Sequence, residues 1–357
     1  MRMGHEVKTF ITVMVLCILA PVSCAAQSKP ENVADPPPHH VAGRYRNLQQ
    51  HPDHGFFDFL RWRFGGGPKD PAVVPPGGLP EFVPPIVAPD LNSINHPPGD
   101  AIQVTWIGHA TFLIQTGGLN ILTDPMFSER ASPVSFAGPK RLAPPGISTQ
   151  DLPRIDAVII SHNHYDHLDS NSVKALGNTP RYFVPLGFSQ WFNSRGIDNV
   201  QELDWWGSAE LTGLRFHAVP AQHFSSRTLF DRNEMLWSGW VIETPAGKVY
   251  FSGCTGYAPL FQEIGKRLGP MRLSFIPVGG YSPRWFMKAM HVDAPEAVCI
   301  HQDVRSEQSV GMHWATFKLT DEHLSEPPFY LSKARKDAGI SDDRFIVMKI
   351  GETRVFR

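Results

Sequence analysis

Three imidazoles and a carboxylate fall within six residues of the segment Ser161-His162-Asn163-His164-Tyr165-Asp166-His167-Leu168-Asp169, immediately after an apolar run. That combination is metal-ligand chemistry. A helix or a strand could not aim all four groups inward, because helical residues two apart point in nearly opposite directions and strand neighbours alternate. The segment is therefore expected to be a loop wrapped around its cargo. Imidazole nitrogen and carboxylate oxygen together suit zinc, with manganese and iron as substitutes. One zinc takes about four ligands, and a catalytic zinc keeps a position open, so this loop either overfills one metal or serves two. Ligands from elsewhere must complete the site, and spacing alone selects none of the other 13 of the 16 histidines.

Short β-branched runs bounded by turn residues surround this loop and predict the strands that position it: 102–107, 111–116, 120–123 and 157–161, then 214–219, 236–244, 248–252, 273–277 and 345–350. Helices are expected at 169–176, 259–268 and 293–301, the first and last opening on an aspartate suited to a helix start. Two successive blocks of strands with interspersed helices imply two stacked sheets with helices outside, a four-layer αββα arrangement in the α/β class.

The remainder of the chain divides by composition. Arg2 and Lys8 precede an apolar stretch from Phe10 to Ala20 that is too short to span a bilayer, so residues 1–25 read as an export signal. Cleavage falls either after Ala25 or before Cys24 with lipid on that thiol, which implies a bacterial periplasmic protein or a membrane-anchored lipoprotein. Residues 26–99 form a proline-rich extended arm: 15 of the 33 prolines lie between positions 30 and 99, a density that excludes long helices and central strands. The aromatic run Phe56-Phe57-Asp58-Phe59-Leu60-Arg61-Trp62-Arg63-Phe64 is expected to lie on the protein's own surface rather than on lipid. Residues 100–357 form the metal-binding domain. A net charge of −1 gives no broad electrostatic grip on nucleic acid. Outside the leader only Cys254 and Cys299 remain, so no disulfide framework is implied, and Cys299 reads as a buried small residue.

The stretch HNHYDHLD is similar to the HxHxDH motif of the metallo-β-lactamase superfamily. Further stretches, VTWIGHATFLI, LTDPMFSERASP, GPKR, ELDWW, AQHFSSRTLFDRN, TGYAPLFQEIGKRLGP, YSPRWFMKAMHVD and MHWATF, resemble the N-acylphosphatidylethanolamine-hydrolysing phospholipase D family within it, from about Ile102 to the C-terminus. The resemblance implies two Zn2+ sites, one held by His162, His164 and His223 and the other by Asp166, His167 and His313, with a hydroxide between them and with Asp166 and His167 counted as catalytic. It places His109 and Asp124 behind the ligands, where hydrogen bonds fix ligand tautomers, and puts His291 and His301 near the mouth as substrate contacts. Trp206 is a further candidate for the apolar wall that a lipid requires. The implied reaction is phospholipase D-type hydrolysis of an N-acylphosphatidylethanolamine to N-acylethanolamine and phosphatidate, with a phospholipid substrate and a membrane surface as partners.

The chain departs from the family at one position. Where the family carries a metal-bridging aspartate in Gly-Asp-Thr-Gly-Tyr, this sequence reads Gly253-Cys254-Thr255-Gly256-Tyr257. A carboxylate can bridge two metals through its two oxygens, whereas a thiolate usually binds one and favours zinc. Cys254 is then a working ligand, or the second metal is weakened, or the chain keeps the fold without the activity.

Overall fold

The computed structural model describes residues 36–52 and 54–357, so the stretch 1–25 expected to be an export signal, with Cys17 and Cys24, lies outside the described residues. Within the domain, strand alternation builds two cores at once. Along Ile102–Gly108 the side chains of Ile102, Val104 and Trp106 enter one core while Ile107 enters another. Phe112 and Ile114 against Leu113, Ile121 against Leu122, Ile159 against Val158, and Phe183 against Tyr182 and Val184 repeat the division on the neighbouring strands. One face therefore packs against a second sheet and the other against helices, which is why these strands read as continuous apolar runs.

The first sheet has seven strands in the order Thr353–Phe356, Ile102–Gly108, Thr111–Thr116, Leu119–Thr123, Ala157–Ile159, Arg181–Pro185, Val200–Leu203. The first four pair antiparallel and the remaining pairs are parallel. The second sheet, Ser208–Leu211, Leu214–Val219, Gly239–Thr244, Gly247–Phe251, Met271–Pro277, Ser306–Met312, Phe345–Val347, repeats the scheme: an antiparallel meander followed by parallel strands. Helices Ser170–Leu176 and Ser189–Asn193 cover the first sheet, while Leu260–Arg267, Ala294–Asp303 and Glu326–Asp337 cover the second. This is the four-layer αββα sandwich that the sequence pattern implies.

Residues from Pro38 onward belong to one compact unit, and the arm is laid onto the domain. Ile86 bridges Ile350, Val73 N–H donates to Glu326 Oε1 at 3.0 Å, and Asp70 Oδ2 accepts from Ser282 Oγ at 2.9 Å and Arg284 N–H at 2.6 Å. The arm is not extended throughout. Phe56–Arg63 forms a two-turn helix whose Asp58 carboxylate accepts the Gly55 N–H at 3.1 Å and whose Arg61 and Arg63 sit in its last turn, both arrangements that complement the helix ends. Eight residues are too few to hold a helix alone in water. Here Trp62 anchors it, stacking on Phe286 with ring centroids 5.2 Å apart and donating its indole N–H to Asp321 at 3.1 Å. Cys299 also differs from expectation: the helix Ala294–Asp303 turns it to solvent.

A candidate metal centre at the floor of an apolar cavity

Every strand that feeds the site delivers its ligand at its C-terminal end. His109 follows Ile102–Gly108, Asp124 follows Leu119–Thr123, and the loop from His162 to His167 follows Ala157–Ile159. His223 follows Leu214–Val219, Cys254 follows Gly247–Phe251, and His313 follows Ser306–Met312. The two sheets thus bring residues as far apart in the chain as His109 and His313 to one rim. His313 N–H donates to the His109 carbonyl at 3.1 Å and Ser238 N–H to the Ser161 carbonyl at 2.9 Å, tying loops of the two halves together. His109, Asp124 and His313 have φ of 56°, 33° and 65°, a left-handed backbone that non-glycine residues seldom adopt outside functional sites. Gly253 (φ 61°) is required beside Cys254, since a Cβ there would lie 2.6 Å from the Ser161 Cβ.

Two donor sets emerge. In the first, His162 Nε2 and His223 Nε2 lie 2.9 and 3.3 Å from His164 Nδ1. The other ring nitrogens are held from behind, His162 Nδ1 by Ser161 Oγ at 2.9 Å and His223 Nδ1 by the Met290 carbonyl at 2.9 Å, which fixes the tautomers that point inward. The second set gathers around Asp166 Oδ2, with His109 Nε2 at 2.8 Å, His167 Nε2 at 3.2 Å and His313 Nε2 at 3.4 Å. Asp124, fully buried, accepts from Ser161 N–H at 2.7 Å, Ser161 Oγ at 2.6 Å and His167 Nδ1 at 2.7 Å. It therefore fixes the strand end and the ligand tautomer with one carboxylate.

Cys254 Sγ stands between the sets. It lies 3.1 Å from His167 Nε2, and it groups within 4.8 Å both with His162 and His167 and with His223 and His291. The sulfur thus occupies a bridging address.

The electrostatics differ between the sets. Burial, reinforced by neighbouring histidines, holds His162 and His223 well below the usual imidazole range, and burial brings His164 down to about 4. These rings are neutral ligands at any ordinary pH. Burial works against charge on His167 and His313 as well, but the Cys254 thiolate and Asp166 outweigh it, leaving His167 well above its ordinary value and His313 near 9. Burial would raise the Cys254 thiol, yet His167 and His313 hold it below its ordinary value. Such a set exchanges its protons for a metal. Neither nitrogen of buried His313 has a hydrogen-bond partner, although buried polar atoms are almost always satisfied. Orphaned inward nitrogens, an anionic carboxylate and a thiolate fit bound zinc.

A cavity of about 540 Å³ opens over these groups. His164, Asp166, Cys254, His291 and His313 form its floor. Phe224, Phe286, Met287, Met290 and Leu319 supply apolar wall, and the arm adds Phe56, Phe59 and Trp62. Arg232 also lines it, its guanidinium 4.4 Å over the Phe224 ring.

Ten of the residues expected at the site from sequence converge: His109, Asp124, His162, His164, Asp166, His167, His223, Cys254, His291 and His313. Two do not. His301 is buried in the helix Ala294–Asp303, where Nδ1 bonds Ser309 Oγ at 2.7 Å and the ring stacks on Phe345, behind the second sheet's last strands. Trp206 packs against the cores with Arg267 4.2 Å over its ring and is not among the cavity-lining residues. Its neighbour Trp205 is likewise consumed by packing on Trp237. Sequence reasoning missed the arm helix as cavity wall, and its signal was present in the aromatic density of Phe56–Phe64.

A model of the family described as beta-lactamase superfamily domain matches residues 119–314, more than half of the chain. Over 265 residues, 70% of this chain and 74% of its counterpart, the chain is 42% identical to N-acyl-phosphatidylethanolamine-hydrolyzing phospholipase D 1 of Caenorhabditis elegans. It is 34% identical to the mitochondrial N-acyl-phosphatidylethanolamine-hydrolyzing phospholipase D of Saccharomyces cerevisiae over 71% of this chain and 55% of the yeast protein. The structure of an isothiocyanate hydrolase from Delia radicum gut bacteria superposes with a TM-score of 0.58 at 21% identity, covering 71% of this chain and 99% of that one, a likeness of fold. Motif, fold and relatives agree: the chain belongs to the beta-lactamase superfamily, in the family of the N-acyl-phosphatidylethanolamine-hydrolyzing phospholipases D.

Proposed function

We propose that this chain is a zinc-dependent phosphodiester hydrolase that cleaves N-acylphosphatidylethanolamine to N-acylethanolamine and phosphatidate at a membrane surface. The observation that carries the reading is the placement of a two-set metal centre at the floor of a cavity whose walls are apolar. A soluble, polar phosphodiester has no use for such walls, whereas acyl chains gain about 25 cal/mol for each Å² they bury there. His162, His164 and His223 would hold one ion, and Asp166, His167, His313 and Cys254 the other. Zinc held by these residues would supply a water acidified to a pKa of about 7 and positive charge for the phosphoryl oxygens.

The chain's own groups do the rest. His109 fixes Asp166 through its Nε2 at 2.8 Å, and Asp124 fixes His167, so the donors are preorganised before substrate arrives. His291 lines the cavity floor with Nδ1 buried and without a partner; burial keeps it neutral, so it serves as a hydrogen-bond donor or acceptor to the substrate headgroup rather than as a fixed charge. Phe224 and Phe286 shield the floor from water.

Exposed aromatic side chains on the segments that line the cavity support docking on lipid. Phe57 and Phe64 of the arm and Phe230 of the loop after His223 are 84%, 83% and 83% exposed, and an apolar surface of this kind marks an interaction site. We place the mature chain outside the cytoplasm, periplasmic or anchored through Cys24, on the strength of the leader in residues 1–25.

The test is release of N-acylethanolamine from N-acylphosphatidylethanolamine in mixed micelles, by the wild type and by His164→Ala. Turnover that His164→Ala lowers by about 1,000-fold or more is expected. Faster cleavage of a lactone or a β-lactam than of any phosphodiester lipid overturns the substrate assignment. A second reading rests on Cys254: if the thiolate cannot support two ions, the chain binds a single zinc and turns over weakly, and activity appears in Cys254→Asp.

A further inference from the structure

A second cluster of metal-ligating side chains lies outside the catalytic cavity. His39 and His40 precede and open the short strand pair His40–Val41 and Arg44–Tyr45, and Asp204 follows the edge strand Val200–Leu203. His39 Nε2 lies 2.6 Å from one Asp204 carboxylate oxygen and His40 Nε2 2.8 Å from the other, and the three ligand atoms fall within 4.8 Å of one another. Adjacent residues of an extended chain point to opposite sides. These two converge because His39 still belongs to the turn that enters the strand.

The rings are also held in place. His39 is buried and stacks on Trp205 with centroids 4.3 Å apart, His40 meets Tyr45 edge-on at 5.1 Å, and the two imidazoles meet each other edge-on at 4.6 Å. Trp205 is itself fixed by its indole N–H, 2.6 Å from the Trp237 carbonyl. A simple ion pair at a surface needs neither two imidazoles nor this supporting shell. Two imidazole nitrogens and a carboxylate with a position open to solvent are a donor set for zinc, cobalt or nickel.

The position of the cluster in the chain gives it a consequence. Seven residues after His40, Asn47 bonds both backbone groups of the catalytic-centre residue His223: its Oδ1 accepts the His223 N–H at 3.1 Å and its Nδ2 donates to the His223 carbonyl at 2.8 Å. The same Oδ1 accepts the Trp237 indole N–H at 3.0 Å. Between the two, Arg46 N–H donates to the His39 carbonyl at 2.9 Å and Tyr45 N–H to the Asn233 carbonyl at 2.8 Å.

We propose that His39, His40 and Asp204 bind a divalent transition-metal ion, a clasp separate from the catalytic centre that seats the arm so that Asn47 holds His223. The ion is structural, with no part in the chemical step.

The test compares zinc bound per chain, after saturation and gel filtration, in full-length wild type and in His39→Gln/His40→Gln, with Asp204→Asn as the near-isosteric alternative if the double variant misfolds. One equivalent fewer in the variant is expected. The assignment of that equivalent comes from Co2+ titration of His162→Ala/His164→Ala, in which the clasp is intact: cobalt still binds at the clasp, and adding Asp204→Asn removes one equivalent. Limited proteolysis reads the seating, with cleavage in residues 36–52 expected to be at least about fivefold faster in the clasp variants. Equal zinc content in wild type and in folded clasp variants overturns the proposal, whatever the number of ions in the catalytic centre.

Discussion

At the scale of single residues, Cys254 decides what kind of metal centre this is. Its sulfur groups with ligands of both sets, yet it lies 3.1 Å from His167 Nε2, and His167 and His313 hold its thiol below the ordinary value against the effect of burial. On the proposed two-ion reading, a thiolate there would belong to the second ion. Cobalt-substituted protein should therefore show an intense sulfur-to-cobalt absorption band near the ultraviolet, absent in Cys254→Asp, while the Cys254→Asp carboxylate restores a bridge. A cobalt spectrum identical in the two proteins would contradict ligation by sulfur. The histidines make a second prediction. Ordinary histidine titrates near 6.5, which by itself would place loss of metal near pH 6, but burial brings His164 to about 4 and His109 to about 3 and holds His162, His223 and His291 well below the usual range. Between pH 6.5 and about 4 the unfolded chain takes up protons on these rings and the folded chain does not, so stability rises with pH across that window. Metal-free protein should lose melting temperature progressively as pH falls from 6.5 to 4. A melting temperature flat over that range would show that the rings are not held neutral.

At the scale of elements, the legible parts were those in which one segment carries its own evidence. The loop from His162 to His167 declares its chemistry because three imidazoles and a carboxylate are packed more tightly than helix or strand could present them. The strands 111–116 and 214–219 have the bounds that their β-branched and apolar runs imply. His223 and His313 cannot be selected by spacing, since what brings them to the loop is the order of strands in the second sheet, one delivered from its antiparallel part and the other from its parallel part, and only family resemblance points to them. The strand Ser306–Met312, which delivers His313, was not expected at all: it reads Ser-Glu-Gln-Ser-Val-Gly-Met, too polar for an interior strand, because Ser309 bonds His301 and Gly311 leaves room for Val278. His301 lies away from the site for the matching reason, as the partner of that serine. The arm helix was missed because proline density dominated its surroundings. One face of it carries Trp62 onto Phe286 and the other shows phenylalanine to solvent, and the two faces predict separable effects. Phe57→Ser/Phe64→Ser should leave the melting temperature within about 1–2 °C, since exposed substitutions shift stability by at most about 0.5 kcal/mol. The same variant should weaken binding to phosphatidylethanolamine-phosphatidylglycerol vesicles by at least about tenfold, given about 1.5–3 kcal/mol for burying each ring. Vesicle binding unchanged by the pair would assign these rings to some other surface.

At the scale of the whole molecule, the centre is where two structurally repeated halves meet. The first half supplies His162, His164, Asp166 and His167 and the second supplies His223, Cys254 and His313, so any ion held here is a cross-link between the sheets. Between those sheets the packing is already tight: Trp106 stacks on Trp314 with centroids 5.6 Å apart and Phe112 meets Phe275 at 4.3 Å. Metal is therefore not needed to create the sandwich, unlike in a zinc finger, and chelated protein should remain folded. It should nonetheless be less stable, because an ion bound by the folded chain alone contributes RT ln(1 + [L]/Kd), about 4 kcal/mol when free metal exceeds Kd a thousandfold. For a domain of this size that corresponds to a fall in melting temperature on the order of 5–10 °C on chelation. The fall should be reversed by stoichiometric zinc and should shrink in His313→Ala, which removes a ligand of the second half, more than in Trp206→Phe, which removes none. A large fall that persists undiminished both in His313→Ala and in His223→Ala would mean that the stabilising ion binds elsewhere in the molecule than across the two halves.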